Sequence, residues 1–350
     1  MVTTIEIAGR KIGPGQPCFV IAEAGVNHNG NPEMARRLVD AAVQAGADAV
    51  KFQTWVTEKL MVPTAPLADY QRQQLDQELS QFDMAKHLEL SYDQFQELKY
   101  HADRQGILFF STPDEEDSAD FLDELGVPLF KIGSGEMTNL SFLRHVALKG
   151  KPIILSTGMS NLSEVEEAVR AIEETGNQQL VLLHCVSNYP AKPEDCNLLA
   201  IDTLRVAFQY PVGFSDHTVG THISIGAVSR GACVLEKHFT LDGTLSGPDH
   251  SSSLEPSEFA YLVRTVSEIE SALGTGRKSP ANAEISTKKV VQKTIVAARD
   301  IPAGKMLEPD DLMLRRTSGG LPPKYLGQIL GRRTTDSLKV NQTISIGELM

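Results

Sequence analysis

The segment Val212–Thr240, VGFSDHTVGTHISIGAVSRGACVLEKHFT, contains a complete strand–helix–strand pattern and indicates the fold. A short apolar run, VGFS, precedes a helix-period stretch, and a second apolar run, VLEKH, follows it. The runs lead into His217 and His238, so parallel strands would place both imidazoles at the same edge of one sheet. Two neutral imidazoles with open positions beside them are typical of a divalent-metal site.

The same pattern recurs through the first three-quarters of the chain. The apolar runs are Phe19–Glu23, Ala49–Gln53, Ile107–Ser111, Leu129–Gly133, Ile153–Thr157, Leu180–Cys185, Val212–Ser215 and Val234–His238, and helix-period segments include Pro32–Ala45, Tyr92–Gln105, Leu162–Thr175 and Thr221–Arg230. Continuous apolar strands fit a parallel sheet that is buried on both faces. Eight β/α units predict an α/β fold of the (β/α)8 TIM-barrel type. A doubly wound open sheet is the alternative, although the first run lacks the glycine-rich dinucleotide-binding motif.

Three segments depart from this repeat. Residues 5–12, IEIAGRKI, alternate and turn at Gly9, which predicts a β-hairpin that covers the N-terminal end of the barrel. The insertion Thr54–Tyr92 lies on the catalytic side and is expected to form part of a substrate wall, with a solvated helical excursion as the alternative. We predict a barrel domain over residues 1–275, a linker over 276–289 and a small β-rich domain over 290–350.

Composition limits the class of protein. The chain has 350 residues, of which 41% are hydrophobic and 22% charged, as in ordinary globular proteins. A net charge of −12 argues against nucleic acid and membrane surfaces as partners. Scattered cysteines without a CxxC pair, and an N-terminus without a signal-peptide pattern, predict a cytoplasmic location.

Two lysines among the apolar runs indicate an anion site. Lys51 and Lys131 stand near the C-terminal ends of their runs, with serine hydroxyls and glycine-backed amides close by. This set suits a small ligand that carries phosphate and carboxylate groups. A buried lysine needs a counter-charge, so pairing with Glu23 or Glu136 is the structural alternative, and a Schiff-base lysine is the chemical one.

Further polar residues follow the later runs. Ser187, Asn188 and Tyr189 come after the sixth run and are placed to line the site. Asp216 directly precedes the first histidine and is expected to orient a histidine N–H group. Asp249 lies in the GPDH segment after the last run, in a loop where barrels keep catalytic groups.

Seven motifs in chain order resemble the sialic acid synthase family: IAEAGVNHNG, VKFQ, FKIGSGE, ILSTGM, FSDHT, EKHFT and GPDHSSSLEP. The C-terminal module, with KTIVAARDIPAG and LRRTSGGLPP, resembles the antifreeze-like (SAF, β-clip) domain of that family. The resemblance covers nearly the whole chain. It implies a transferase that condenses phosphoenolpyruvate with an N-acetylmannosamine-type sugar and water, giving a nonulosonic (sialic) acid and phosphate.

The resemblance also implies ligands and an assembly. A divalent metal, Mn²⁺ or else Mg²⁺ or Co²⁺, would bind His217 and His238. Phosphoenolpyruvate would be held by Lys51, Lys131, Ser134, Ser156 and Ser215, with Ser187 or Asn188 adding a contact, while Glu23, Gln53 and Asp249 would meet the sugar or the metal-bound water. In a domain-swapped homodimer, Arg316 of one subunit would reach the N-acetyl group bound by the other.

The expected reaction joins C3 of phosphoenolpyruvate to the metal-polarised aldehyde carbon of the sugar. Glu136 is the predicted base for the water, because it follows the anion motif that contains Lys131. The acceptor stays open between N-acetylmannosamine, its 6-phosphate and 2,4-diacetamido-2,4,6-trideoxymannose, the legionaminic acid precursor. The rival hypotheses are a Schiff-base aldolase, a metal-dependent sugar isomerase or epimerase, and a non-enzymatic sugar-binding or ice-binding protein.

Overall fold

Each predicted apolar run forms a strand of one parallel sheet. The computed structural model describes residues 2–67 and 80–350, and the chain divides into two units, Met1–Gly274 and Thr275–Met350. The strands of the first unit are β1 (Ile5–Ile7), β2 (Arg10–Ile12), β3 (Phe19–Gly25), β4 (Ala49–Thr54), β5 (Leu108–Pro113), β6 (Phe130–Ile132), β7 (Ile153–Ser156), β8 (Leu180–Cys185), β9 (Val212–Asp216) and β10 (Val234–His238).

The strand order shows how the sheet closes. Neighbouring strands pair in the order β5-β4-β3-β10-β9-β8-β7-β6, and the pairs are parallel. The first strand of the sheet, β3, therefore pairs with the last, β10, with Phe19 opposite Val234 and Glu23 opposite His238. Strands β5 and β6 are consecutive along the chain and contact each other at the seam. This arrangement confirms the TIM barrel and excludes the doubly wound sheet, whose first and last strands would not be neighbours.

Helices surround the sheet at the positions that the sequence period predicts. Those of the first unit, in the described part, are α1 (Pro32–Ala45), α2 (Thr57–Leu60), α3 (Gln81–Leu88), α4 (Tyr92–Gln105), α5 (Glu116–Glu124), α6 (Leu140–Ala147), α7 (Leu162–Glu173), α8 (Ala200–Phe208), α9 (His222–Ser229) and α10 (Pro256–Leu273). Helix α1 begins where the Asn31 side chain accepts hydrogen bonds from the first-turn amides, and it ends at Gly46 with φ +79°. None of the helices described is long and apolar enough to cross a bilayer.

The predicted hairpin, β1 and β2, is present and packs against the barrel. Its side chains Ile5, Ile7 and Ile12 join the main hydrophobic core. Arg10 donates a 3.0 Å hydrogen bond to the carbonyl of Cys18, next to the start of β3, and forms an ion pair with Asp48, next to the start of β4. The hairpin therefore covers the N-terminal end of the barrel, and each buried isoleucine contributes about 1.5–3 kcal/mol to its attachment.

The second unit is small and contains both strands and helices. Its regular elements in the described residues are α11 (Glu284–Val291), β11 (Lys293–Ala297), β12 (Leu312–Arg316) and α12 (Leu326–Ile329), and β11 and β12 pair antiparallel. A separate core is built from residues such as Ile295, Ile301 and Leu338. The sequence indicates a strand from Val290, whereas helix α11 extends to Val291. Helix α11 has an acidic residue in its first turn and basic residues in its last turn, which favours a helix. This effect outweighs the β-propensity of Val290 and Val291.

Candidate active site

Four buried charged side chains meet inside the C-terminal end of the barrel. Lys51 of β4 places its Nζ atom 2.8 Å from Oε1 of Glu23 on β3 and 3.9 Å from Oε1 of Glu236 on β10. Lys131 of β6 lies 3.4 Å from the same Glu236 oxygen, across the barrel interior. Lys51 also donates a 2.9 Å hydrogen bond to Thr112 Oγ1. We call Glu23, Lys51, Lys131 and Glu236 the charge cluster; its side chains are at most 5% exposed.

Burial and charge leave this cluster receptive to an anion. Burial raises the pKa of Glu23 to about 7, although Lys51 opposes the shift. Burial acts in the same direction on Glu236, but Lys131 and Lys51 hold the pKa of that carboxyl below its ordinary value. Because Glu23 is only partly ionised near neutral pH, the two lysines are not fully compensated. The prediction that buried lysines pair with a glutamate holds for Lys51 and Glu23, whereas the partner of Lys131 is Glu236 rather than Glu136.

Hydroxyl groups adjoin the charge cluster. Ser134 Oγ accepts a 2.9 Å hydrogen bond from the amide of Gly158 and lies 3.2 Å from Cys185 Sγ. A Cβ atom on Gly158 would collide with Ser187 Oγ and would lie 2.8 Å from Ser134 Oγ, so the two serines meet over this glycine. Ser156 is buried, and its Oγ has no hydrogen-bond partner among the described residues. We call Ser134 and Ser187, which meet at this glycine, and Ser156, at the end of β7, the serine cluster; hydroxyls of this kind can donate to phosphate oxygens.

The two predicted metal ligands are adjacent. The ring centroids of His217 and His238 are 5.4 Å apart, and Tyr189 stacks on His217 at 4.1 Å. His217 Nδ1 donates a 2.6 Å hydrogen bond to the carbonyl of Val186, which leaves the lone pair on Nε2, 3.4 Å from Ser215 Oγ. Buried His238 Nδ1 has no hydrogen-bond partner in the part of the chain that the structure describes, and it lies 3.6 Å from Asp249 Oδ2.

These observations fit a divalent metal. Burial lowers the pKa of His217 to about 4 and holds that of His238 well below its ordinary value, so both imidazoles are neutral ligands near pH 7. Within residues 2–67 and 80–350, no group of three or more histidine, cysteine, aspartate or glutamate side chains is arranged to hold a metal ion. Two imidazoles would therefore provide a partial ligand set, completed by water or substrate oxygens.

The expected role of Asp216 is wrong. Its carboxylate accepts hydrogen bonds from the amide and hydroxyl of Thr218 and from Ser224, and it forms a 3.0 Å ion pair with Lys237. The His217 N–H group is instead bonded to a backbone carbonyl. Asp216 and Lys237 are fully buried and hold β9, β10 and α9 together behind the histidines.

A cavity of about 200 Å³ opens beside His238. Its polar lining comprises Gln53, Gln81, Asp114, Tyr189, His238 and Asp249, and its apolar lining comprises Val26, Trp55, Leu60, Met61, Met84, Ala85, Leu88 and Pro248. Much of the apolar lining belongs to the insertion after β4, as expected for a substrate wall; residues 68–79 of that insertion lie outside the described residues. Gln53 donates a 3.0 Å hydrogen bond to Glu23, which joins this cavity to the charge cluster.

Three further predicted residues are Glu136, Asn188 and Arg316. Glu136 is half-buried and accepts a 2.7 Å hydrogen bond from Asn139. Asn188 is exposed and donates to the carbonyl of Pro190 within its own turn. Arg316 is exposed on β12 of the second unit. The roles predicted for these residues stay predictions.

Three contributors escaped the sequence reasoning: Glu236, Thr112 and Asp114. Glu236 holds both lysines and accepts a 3.1 Å hydrogen bond from Ser215. Asp114 lines the cavity, and burial, with the nearby Glu136, raises its pKa to about 7. The sequence did contain a signal for Glu236, because a charged residue in the middle of the apolar run Val234–His238 is unusual.

Comparisons with known proteins agree with the sequence resemblance. The model of the NeuB family matches residues 38–278, and that of the SAF domain matches residues 292–350. The chain is 44% identical over 336 residues to the N,N'-diacetyllegionaminic acid synthase of Legionella pneumophila, covering 95% of this chain and 94% of that relative. It is 37% identical over 338 residues to the N-acetylneuraminate-9-phosphate synthase of Homo sapiens, covering 96% and 94%.

A solved structure supports the same relationship. The N-acetylneuraminic acid (sialic acid) synthetase from Leptospira borgpetersenii serovar Hardjo-bovis, crystallised in complex with citrate, superposes with a TM-score of 0.74 at 36% identity. The match covers 83% of this chain and 98% of that one. The resemblance and the predicted combination of a TIM barrel with a SAF domain are therefore confirmed.

Proposed function

Because the chain belongs to the NeuB family, we propose that it condenses phosphoenolpyruvate with a 2-acetamido mannose-type sugar and water to give a nonulosonic acid and phosphate. The observation that carries the proposal is the charge cluster, in which two buried lysines share glutamates next to the histidine pair. A small dianionic or trianionic substrate would replace those internal counter-charges.

Phosphoenolpyruvate would bind deep in the barrel. Lys51 and Lys131 would take its carboxylate and phosphate, because both ammonium groups lie inside the strand ends with little access to water. Ser134, Ser156 and Ser187 would donate to phosphate oxygens, and the unpartnered hydroxyl of Ser156 supports this assignment. The serine hydroxyls and lysines thus hold the enol carbon C3 toward the histidine pair.

The acceptor sugar would enter the cavity beside His238, its aldehyde carbon next to the bound enol. A divalent ion on His217 and His238, Mn²⁺ in the simplest case, would polarise the sugar carbonyl oxygen when bound. Gln53 and Asp249 are positioned to hold sugar hydroxyls, since both line the cavity. Tyr189 packs on both imidazoles and limits the movement of the rings.

The atoms balance in three changes. A bond forms between C3 of phosphoenolpyruvate and C1 of the sugar, and a proton is added to the former aldehyde oxygen. Water adds to C2 and loses one proton; the resulting C2 hydroxyl then loses its proton as the C2–O bond to phosphate breaks. Phosphate leaves with the bridging oxygen and takes up the second proton of the water, and C2 becomes the ketone of the product.

Three carboxyl groups are suited to these proton transfers. Burial raises the pKa of Glu23 and of Asp114 to about 7 and that of Asp249 to about 6. Groups with pKa values near the working pH exchange protons with least penalty. Glu136 stays the proposed base for the water. Unchanged kcat for Glu136→Gln, with substrate affinity also unchanged, would remove it from that role in favour of Asp114.

The first experiment measures phosphate release from phosphoenolpyruvate with Mn²⁺ and candidate sugars, with and without EDTA. Release that requires both the metal and a sugar supports the proposal. In ¹⁸O-water, label should enter the keto acid and not the phosphate, because the C–O bond breaks. Lys131→Met should abolish phosphate release. The control is Lys11→Met, which alters an exposed lysine on strand β2 of the hairpin and should leave release unchanged. Release without sugar, or label in phosphate, would contradict the mechanism.

One observation keeps a Schiff-base aldolase as a second candidate. Burial lowers the pKa of Lys131, and a neutral amine is what an imine-forming lysine needs. Borohydride reduction in the presence of pyruvate would attach a three-carbon unit to such a lysine. Absence of this adduct, detected by mass spectrometry, would leave Lys131 as an anion-binding residue.

The proposal extends to the assembly, with a barrel domain over residues 1–275 joined by 276–289 to a domain over 290–350 that caps the partner subunit. Lys131→Met and Arg316→Ala would each be inactive alone. When equal amounts of the two variants are mixed and exchange subunits, about half of the dimers should contain one subunit of each kind. One of the two sites in such a dimer combines an intact barrel with an intact arginine, so about a quarter of all sites should be active. No recovery between exchanging subunits would place Arg316 outside the partner's site.

A further inference from the structure

An apolar wall forms one side of the cavity beside His238. Its members are Trp55, Leu60, Met61, Met84, Ala85 and Leu88, from the segment after β4 and from α3. Trp55, Ala85 and Leu88 are buried together, and the two methionines and Leu60 pack against them. The facing side carries polar groups, including His238 and Asp249. The cavity is thus polar at the proposed reaction centre and apolar away from it.

Several contacts hold this wall in place without a ligand. Glu89, at the end of α3, accepts hydrogen bonds of 2.9 and 2.6 Å from the amide and hydroxyl of Thr57 at the start of α2. Lys86 joins the two helices by an ion pair of 2.9 Å with Glu58. A Cβ atom on Gly30 would collide with the carbonyl of His87, so α3 packs directly on the loop after β3. The wall is therefore preorganised, which favours selection by shape and polarity.

The charges around the cavity disfavour an anionic sugar. None of the described residues that line it is a lysine or an arginine, whereas two of them, Asp114 and Asp249, are carboxylic acids. The lysines of the insertion, Lys59 and Lys86, already pair with Asp117 and with Glu58 on the outer surface. A phosphate ester that lay against this wall would meet carboxyl groups and thioethers, and no lysine or arginine among the described lining residues would compensate it.

We infer that the acceptor sugar is uncharged and lacks oxygen at C6, so that a methyl group packs against the apolar wall. This inference rests on the proposed function, because the reacting carbon C1 and its neighbour C2 must lie at the histidine end of the cavity. The opposite end of the sugar then extends toward Leu60, Met61 and Met84. Leu60, Met61 and Met84 offer a C6 hydroxyl no hydrogen-bond partner in place of its lost water, and Gln81 is the one polar side chain of α3 in the described lining.

The test compares sugars that differ only at C6. The two matched pairs are N-acetylmannosamine with its 6-deoxy analogue, and 2,4-diacetamido-2,4-dideoxymannose with its 6-deoxy analogue. Phosphate release from phosphoenolpyruvate gives kcat/KM for each, and N-acetylmannosamine 6-phosphate completes the panel. In whichever pair supports turnover, we expect the 6-deoxy sugar to be favoured about 10- to 100-fold. The 6-phosphate should give the lowest value.

Equal kcat/KM within the pairs, or a higher value for the 6-hydroxy sugar or the 6-phosphate, would overturn the inference and leave the proposed function standing. Phosphate release with none of the five sugars would instead refute the proposed function, and the inference with it. The two failures are therefore distinguishable in one data set.

Variants of the wall connect the preference to these residues. Met84→Gln should reduce the 6-deoxy preference several-fold, and Met84→Lys should produce turnover of the 6-phosphate above the wild-type level. The matched control is Leu148→Gln, which alters a side chain that is 72% exposed at the end of α6 and should leave the preference unchanged. An unaltered preference in both Met84 variants would show that C6 does not contact the wall.

Discussion

Replacing Glu236 with glutamine tests the central electrostatic argument. The amide keeps the shape of the side chain but removes the charge that Lys131 faces at 3.4 Å and Lys51 at 3.9 Å. Lys51 keeps Glu23 at 2.8 Å, so the loss falls mainly on Lys131, whose burial already disfavours its charged form. We expect the ligand-free variant to be less stable and to bind phosphoenolpyruvate more tightly.

The size of the effect follows from the burial of the group. Removing one partner of a buried ion pair lowers the free energy of unfolding by about 3–5 kcal/mol. We expect a loss of about 3 kcal/mol here, because the carboxylate of Glu23 remains in the charge cluster. Phosphoenolpyruvate would restore the missing negative charge. If the variant binds phosphoenolpyruvate at least tenfold more tightly than the unaltered protein does, the difference in unfolding free energy between the two proteins should shrink by about 1.4 kcal/mol or more at saturating ligand.

Urea unfolding of metal-free protein, with and without phosphoenolpyruvate, measures both quantities. The chain has a single tryptophan, Trp55, in the barrel unit, so its fluorescence reports on barrel unfolding. Glu166→Gln is the control. Glu166 pairs with Arg170 on the surface, so this substitution should change the free energy of unfolding by less than about 1 kcal/mol. The reasoning is refuted if Glu236→Gln costs as little as the control, or if phosphoenolpyruvate does not narrow the gap.

Three further predictions concern the serine cluster, the metal and the second unit. Gly158→Ala places a Cβ 2.8 Å from Ser134 Oγ, so the KM for phosphoenolpyruvate should rise about 10- to 100-fold in steady-state assays while that for the sugar stays constant. EDTA should abolish turnover, and added Mn²⁺ should restore it. Mn²⁺ should raise the melting temperature of the unaltered protein but not that of His238→Ala. A melting temperature that still rises in this variant would contradict the assignment of His238 as a metal ligand. Asp311, buried beside Arg299 and Lys305, has a pKa lowered to about 2, so its contribution is present above about pH 4 and is lost as the pH falls through 2. Asp311→Asn should therefore reduce hydrogen-exchange protection of β11 by about 1 kcal/mol at pH 7, and the two proteins should converge near pH 2.

The barrel was predictable because its strands are buried on both faces. Such strands appear as short apolar runs that need no tertiary information, and the structure contains a strand at each of the eight. The positions of His217 and His238 followed from the same pattern, since parallel strands bring their C-terminal ends to one edge. The hairpin was predictable from the alternation around Gly9, which has φ +81°.

The details that failed concern the direction of side chains within a strand. Asp216 is the last residue of β9 and His217 is the first residue after it, and although adjacent in sequence the two side chains have different partners. Consecutive residues of a strand point to opposite faces, which separates Glu236, which faces the lysines inside the barrel, from Lys237, which pairs with Asp216 behind it. A run of apolar residues on both faces gives no signal of which charged neighbour faces inward.

The pairing of β3 with β10 has a consequence for biosynthesis. Glu23 and His238 are register partners although about 200 residues separate them, so the ribosome needs about 10–40 s to deliver the second after the first. During that interval β3 has no partner on one side, and its apolar edge is available for wrong pairings. The last strand brings one of the two proposed metal ligands with it. A nascent chain therefore lacks one of the two proposed metal ligands until β10 has been synthesised.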